Sequence, residues 1–400
     1  MQKIKLANGL KVIFEHKSGN SVVVELMINV GSNDELEDEH GISHFLEHIL
    51  FEGTTNRPTN QLITNEIESI GGDFNAYTTN ERTCFYVKVL KKHFHKAVDI
   101  LSDVIQDSLF KDEHIKREKN VVVKEIDMIN DEPRFYQWLL LQRTLFNKHP
   151  CRYPTYGKKE IIRNLTRDKI IQYFQKHYLP NNMVLSIVGD VKNWRKEIEK
   201  LFLMKKGKVL EKPSPFEPKD KTEKFKKERR KIANTYTILG FKTVPRAHPD
   251  AYVLEVINGI LGRGQSGRMF AEIRSKHGLA YDVGTQNVGE VSFGYFAVYA
   301  TIDRKNVKLV KKLIEEEIRK LKIITKIDLQ ESKDFIEGDY LLELEETQKV
   351  ADQLLFWEQV KDANLANTFV KEIRTVTADD VKRVVDKYLK NGTFVVLEGK

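Results

Sequence analysis

Long apolar runs are missing from this chain. Nowhere in its 400 residues do 18 apolar residues stand together, so no segment reads as a membrane-spanning helix. Cysteine is nearly missing too. Cys84 and Cys151 are the only thiols, which gives no cysteine-based metal site and suits a reducing compartment. The opening, Met1 to Phe14, has neither a signal peptide nor an arginine-rich presequence, and alternates like a strand around a turn at Asn8-Gly9. The expected location is therefore cytoplasmic, in a prokaryote. No concentrated basic patch is present either. The net charge of +8, from 66 basic and 58 acidic residues, is spread along the chain. Its densest run, Lys221 to Lys231, reads as a solvated edge or strand, so neither nucleic acid nor membrane is an expected partner.

What is present describes a soluble globular protein, with 40% apolar and 31% charged residues. Four hundred residues exceed what one core usually serves, so two domains are expected. The boundary is a lysine-rich stretch with Pro213, Pro215 and Pro218 and no apolar periodicity. It divides the chain into a domain at 1–204, a linker at 205–221 and a domain at 222–400. The pattern before the linker recurs after it. Thr235 to Phe241 answers the buried strand Val22 to Val30, and Thr377 to Tyr388 answers the Thr166-capped helix. This is duplication of a large unit rather than a short repeat. The expected fold class is α+β: two homologous domains, each a largely antiparallel sheet with helices packed on one face.

The chemistry concentrates in Gly41 to Gly53. At about 100° per residue, Ile42, Phe45, Leu46, Ile49 and Leu50 form an apolar stripe, with His44, Glu47 and His48 on the opposite face and Gly53 as the closing glycine. Histidines four apart can take adjacent positions on one tetrahedral zinc ion, and Glu47 lies where it could deprotonate a water. The bland alternative is a surface helix carrying two histidines. It leaves the His/Glu cluster opposite a strongly apolar face unexplained. A third ligand is still needed, and the helix Asp112 to Ile129 offers Glu118 and Glu125. These two carboxylates, two turns apart, stand among Ile115, Val121, Val122, Met128 and Ile129. Glutamates snorkelling from the edge of the stripe are the alternative there.

His44-x-x-Glu47-His48, followed after 76 residues by Glu125, resembles the pitrilysin-type zinc metallopeptidases, the inverzincins. The half-length branch that includes mitochondrial processing peptidase and its prokaryotic relatives is the most similar. The resemblance implies zinc (Zn2+) held by His44, His48 and Glu125, with Glu47 as general base and Glu118 as a supporting carboxylate. It implies that Asn75 and Ala76, on an exposed edge strand, pair with an extended unfolded peptide, and that Arg274 and Tyr281 of the second domain hold the scissile carbonyl and nearby backbone. Taken alone, Arg274 and Tyr281 would read as a structural salt bridge and a packed ring. The function implied is zinc-dependent endopeptidase action on unstructured peptides or oligopeptides. A non-catalytic peptide-binding or structural relative of the same fold is the rival. Half-length relatives dimerise, and this chain carries both motifs, so a homodimer with Arg274 and Tyr281 acting in trans is expected. Phe135 to Leu140, mostly apolar, lacks the acidic residues by which processing relatives read arginine.

Overall fold

Two β-sheets carry the chain, and one strand pattern builds both. The structure, a computed structural model, describes residues 1–209, 212 and 215–399. Part of the expected linker, Pro213 included, lies outside the described residues. The first sheet contains β1 (Gln2–Lys5), β2 (Lys11–Glu15), β3 (Ser21–Ile28), β4 (Asp73–Thr78), β5 (Thr83–Leu90) and β6 (Met183–Gly189), in the order β1-β2-β6-β3-β5-β4. The second contains β7 (Lys224–Arg230), β8 (Thr235–Lys242), β9 (Ala280–Gly289), β10 (Gly294–Ile302) and β11 (Thr393–Gly399), in the order β7-β11-β8-β10-β9. One pair in each sheet is parallel, β2 with β6 and β7 with β11, and all other neighbours are antiparallel. Strands β2-β6-β3-β5-β4 thus repeat as β7-β11-β8-β10-β9 in order and sense, as a duplicated unit should. The basic run at Lys221 to Lys231 is the outer strand β7, mostly exposed along its length.

The first sheet's own helices include α1 (Ile42–Leu50), α2 (Asn60–Glu68), α3 (Phe94–Gln106) and α4 (Asp112–Asp131). Their starts follow local chemistry: the Thr59 hydroxyl accepts from the Leu62 N–H at the head of α2. Of these helices, α1 packs on β4 and β5, and α3 on β5 and β3. Strand side chains alternate between faces. Phe74 of β4 packs against Phe51 just past α1, whereas Tyr77 points to the other face.

That other face is covered by a helix from far along the chain, Thr347–Val360, which packs on β6 and β3. Thr347 meets Ser21 at 3.0 Å, and Gln348 donates to the Glu25 carboxylate at 2.9 Å. Glu25 is fully buried. Burial first, then the neighbouring Asp352 carboxylate, push its carboxyl well above the usual range. The second sheet shows the reciprocal arrangement. Helix α5 (Pro133–Leu145) lies on β8 and β11, and its Tyr136, Leu140, Leu141 and Leu145 share a core with Tyr236, Ile238, Val395 and Leu397. Gly240 leaves the room this needs, because a Cβ there would stand 2.6 Å from the Leu141 side chain.

The compact units therefore differ from the linear division at 204 and 222. The first takes in Met1–Asp127, the chain from Pro154 into the linker, and Glu343–Ala366. The second takes in Met128–Tyr153, the chain beyond the linker to Leu342, and Asn367 onward. Helices on one face describes each half's own helices; the second face of each sheet is closed by a helix from the other half of the sequence. Among the described residues, no helix is long and apolar enough to cross a membrane.

Candidate functional site

Helix α1 is fixed from both its apolar face and its start. Ile42, Phe45, Leu46, Ile49 and Leu50 are all buried, as the stripe predicts. Gly41, at the N-cap, has φ +98°, and a Cβ there would stand 2.6 Å from the Tyr156 carbonyl oxygen. The first turn is capped from outside, since the Glu35 carboxylate accepts from the N–H groups of Gly41 (2.7 Å) and Ser43 (2.9 Å). Burial pushes Glu35 up to about 8 despite these hydrogen bonds. Ser43 and Tyr173 share a further bond at 3.0 Å. Gly53 does not end the helix, which stops at Leu50. Its φ of +149° and the nearby Pro58 carbonyl, 2.6 Å from where a Cβ would sit, explain the glycine instead.

Anchored in this way, α1 presents His44 and His48 one turn apart, with ring centroids 4.8 Å apart and planes at 70°. Glu125 of α4 meets both: His44 Nε2 is 3.7 Å from one carboxylate oxygen and His48 Nε2 is 3.3 Å from the other. One donor atom from each of the three residues lies within 4.8 Å of the others. Bonds of about 2.0–2.2 Å in a tetrahedron would set neighbouring ligand atoms about 3.3–3.6 Å apart, so these separations suit a shared ion. Glu118 faces the other nitrogen of His48, Nδ1, across 3.5 Å, where a carboxylate orients a ligating imidazole. Arg117 holds Glu118 in turn at 3.4 Å and also pairs with Glu52. Two imidazole nitrogens, a carboxylate and an orienting carboxylate together fit zinc.

The site's electrostatics follow from this crowding. Burial disfavours the charged form of His48, but the Glu118 and Glu125 carboxylates outweigh it and push the ring up to about 9. His44 is held down to about 4 by burial and by the neighbouring His48 charge. Contact with His48 lowers Glu125; for Glu118 burial opposes ionisation, and the same histidine overcomes it. Burial raises Glu47, whose Oε2 accepts a hydrogen bond from the Thr78 hydroxyl at 2.6 Å.

The other expected residues fall in two places. Asn75 and Ala76 lie on β4, which ends the sheet order and pairs only with β5 among the described residues. Arg274 and Tyr281 come together in the second unit: Arg274 donates to the Tyr281 carbonyl at 2.7 Å, and its guanidinium lies 5.7 Å from the Tyr281 ring. The Arg274 segment winds as a π-helix, Phe270–Lys276, and Tyr281 is 72% exposed, so its ring is not packed away. Two expected neighbours of Glu118 and Glu125 are not buried: Val121 and Met128 face outward, while Val122 and Ile126 line the stripe. Sequence reading missed Thr78, Glu35 and Arg117. Only Thr78 left a signal, sharing the strand face of Ala76 two residues earlier.

Residues 11–159 match the family model described as Insulinase (Peptidase family M16), and residues 164–336 match the Peptidase M16 inactive domain. An uncharacterized zinc protease, YmxG, of Bacillus subtilis is 34% identical over 348 residues, covering 85% of this chain and 83% of that protein. A probable mitochondrial-processing peptidase subunit beta of Arabidopsis thaliana is 28% identical over 407 residues, covering 96% and 75%. In fold, the chain is like the crystal structure of a protease from Helicobacter pylori, with TM-score 0.93, 23% identity and 99% of each chain covered. Two models of one family in tandem, together with a zinc-protease relative matched over most of its length, show that the chain belongs to peptidase family M16, in its half-length branch.

Proposed function

We propose that the protein is a zinc-dependent endopeptidase that hydrolyses unstructured peptides. The observation that carries this reading is the meeting of His44, His48 and Glu125 beside Glu47, with Glu118 behind His48. In it, His44, His48 and Glu125 hold the ion. Zinc, when bound, polarises a carbonyl and lowers the pKa of a water. Glu47 takes a proton from the attacking water and delivers it to the leaving amine, a role that its burial favours by raising its basicity. Glu118 keeps His48 in the orientation that ligation needs.

An extended peptide added along the outer edge of β4 would be read through its main chain, with Asn75 and Ala76 alongside. Folded proteins cannot present such a strand, so unfolded peptides are the substrate class. Cleavage of such peptides should stop on chelation and return with zinc; peptide binding without any cleavage would favour a non-catalytic relative instead.

The working assembly is a two-fold homodimer in which Arg274 and Tyr281 of one subunit serve the zinc site of the other. One chain carrying both motifs supports this, as do a cation and a hydroxyl suited to an oxyanion. Mixing Glu47→Gln with Arg274→Ala subunits should restore activity toward half the wild-type value per dimer. Demonstrated subunit exchange without recovery would rule out the trans arrangement.

A further inference from the structure

The Glu47 carboxylate has one partner whose purpose the zinc set does not explain. Thr78 is the last residue of β4 and pairs with Thr83 across the hairpin. The turn beyond it is closed by the Thr79 N–H donating to the Arg82 carbonyl at 2.8 Å. Its backbone is therefore fixed, and a β-branched side chain on a strand has little χ1 freedom. Its hydroxyl donates to Glu47 Oε2 at 2.6 Å, a short bond of the charge-assisted kind. Glutamate, by contrast, hangs on three rotatable bonds, and the Thr78 hydroxyl ties down one of its two carboxylate oxygens. Ala76, two residues earlier on the same strand, lies alongside the proposed peptide path.

We propose that Thr78 is a positioning residue for peptide hydrolysis: its hydroxyl occupies Oε2 of Glu47 and reserves Oε1 for the proton. The inference rests on the reading of Glu47 as general base. The water O–H bond breaks and its proton goes to Oε1, while the oxygen bonds to the peptide carbon and the C=O π pair moves onto the carbonyl oxygen. That pair re-forms the C=O bond as the C–N bond breaks, the proton on Oε1 passes to the amine nitrogen, and Glu47 returns to its starting state. Because the strand that would carry substrate also carries the hydroxyl, base and scissile bond share one rigid reference.

The test compares Thr78→Val, which keeps the shape and loses the hydroxyl, with Thr78→Ser, which keeps the hydroxyl. Thr78→Val should lower kcat by about 10- to 100-fold, as misplacement of a reacting group does. KM and zinc content should stay unchanged, and Thr78→Ser should recover most of the loss. A readout apart from turnover is inhibitor affinity. A peptide hydroxamate, which uses the base carboxylate as well as the metal, should bind Thr78→Val more weakly, and a peptide thiol should bind it as it binds wild type. Wild-type kcat in Thr78→Val would overturn the proposal. So would loss of zinc from that variant, a Thr78→Ser variant equally slow, or equal weakening of both inhibitors. Full activity in Glu47→Gln would remove the reading underneath; an inactive Glu47→Gln beside a fully active Thr78→Val would remove Thr78 alone.

Discussion

Helix α1 and the helix Asp250–Gly262 follow the corresponding strands, β3 and β8, of two sheets with the same order. The first carries His44, Glu47 and His48; the second carries Val253, Val256, Ile257 and Gly259, all buried. Its polar residues serve packing: Glu255 pairs with Arg246 at 2.5 Å, and Asn258 accepts from the Thr285 hydroxyl at 2.7 Å. Each unit thus ties a strand threonine to a helix side chain, Thr78 to Glu47 and Thr285 to Asn258. The tie can exist without chemistry. In the first unit its partner is a carboxylate that can accept a proton, and in the second it is an amide that cannot.

Four experiments would break or sharpen that contrast. The largest effect is expected at Glu47, where Glu47→Gln should slow hydrolysis by about 100- to 10,000-fold while zinc stays bound. Alanine at His44, His48 or Glu125 should instead lose the metal, read by elemental analysis. Near-normal turnover in Glu47→Gln would erase the functional difference between the two helices.

Next comes packing under the second sheet. Leu141 is fully buried against β8, and Leu141→Ala should cost about 2–5 kcal/mol. Denaturant unfolding checks it, and a loss below 1 kcal/mol would mean that α5 covers the second sheet less tightly than the core suggests.

Acid should unsettle the same unit as well. Burial holds His149 down to about 4. Burial opposes ionisation of Glu217, but Lys242 and the N–H groups of Asn147, Lys148 and His149 hold it down to about 2. Both folded values lie below the ordinary values of about 6.5 and 4.3, so the unfolded chain binds protons first as pH falls. Their stabilisation is present above those ordinary values and is lost as pH drops through 4 and then 2. The thermal midpoint should decline over this window, and Glu217→Gln should flatten its lower part. An unchanged slope in that variant would discount Glu217.

Smallest is Thr285→Val, which removes a hydrogen bond worth about 1 kcal/mol and should leave peptide cleavage untouched. A drop in kcat like that expected of Thr78→Val would mean that the two ties do the same work.

Much of the site was legible because it obeys one helical period. The α1 stripe, the two histidines and Glu47 follow from spacing alone, and carboxylates at positions 118 and 125 were out of keeping with their neighbours. Caps were legible too: Thr166 accepts from the Lys169 N–H, and Thr377 forms a capping box with Asp380. What escaped was non-local. The α5 sequence has no one-sided apolar stripe and does not say which sheet it covers, and its partner Gly240 lies about a hundred residues away. Gly53 looked like a helix stop because a glycine after a helix usually is one, whereas here a neighbouring backbone needs the space. Val121 and Met128 were placed inward by hydrophobicity, yet a 20-residue helix has an outer face to fill as well.

The Thr347–Val360 helix has a consequence for how the molecule comes into being. Ser21 meets Thr347 across 326 positions of sequence. During synthesis the face of the first sheet that bears Glu25 stays open to water until that helix leaves the ribosome. At about 5–20 residues per second, that is a delay of tens of seconds. Contacts so distant in sequence also slow folding, because the loop must close before the contact stabilises anything. The two sequence halves are for this reason not separable modules: cutting at the linker would leave each sheet with one bare face, and the nascent first half is the stage most exposed to aggregation.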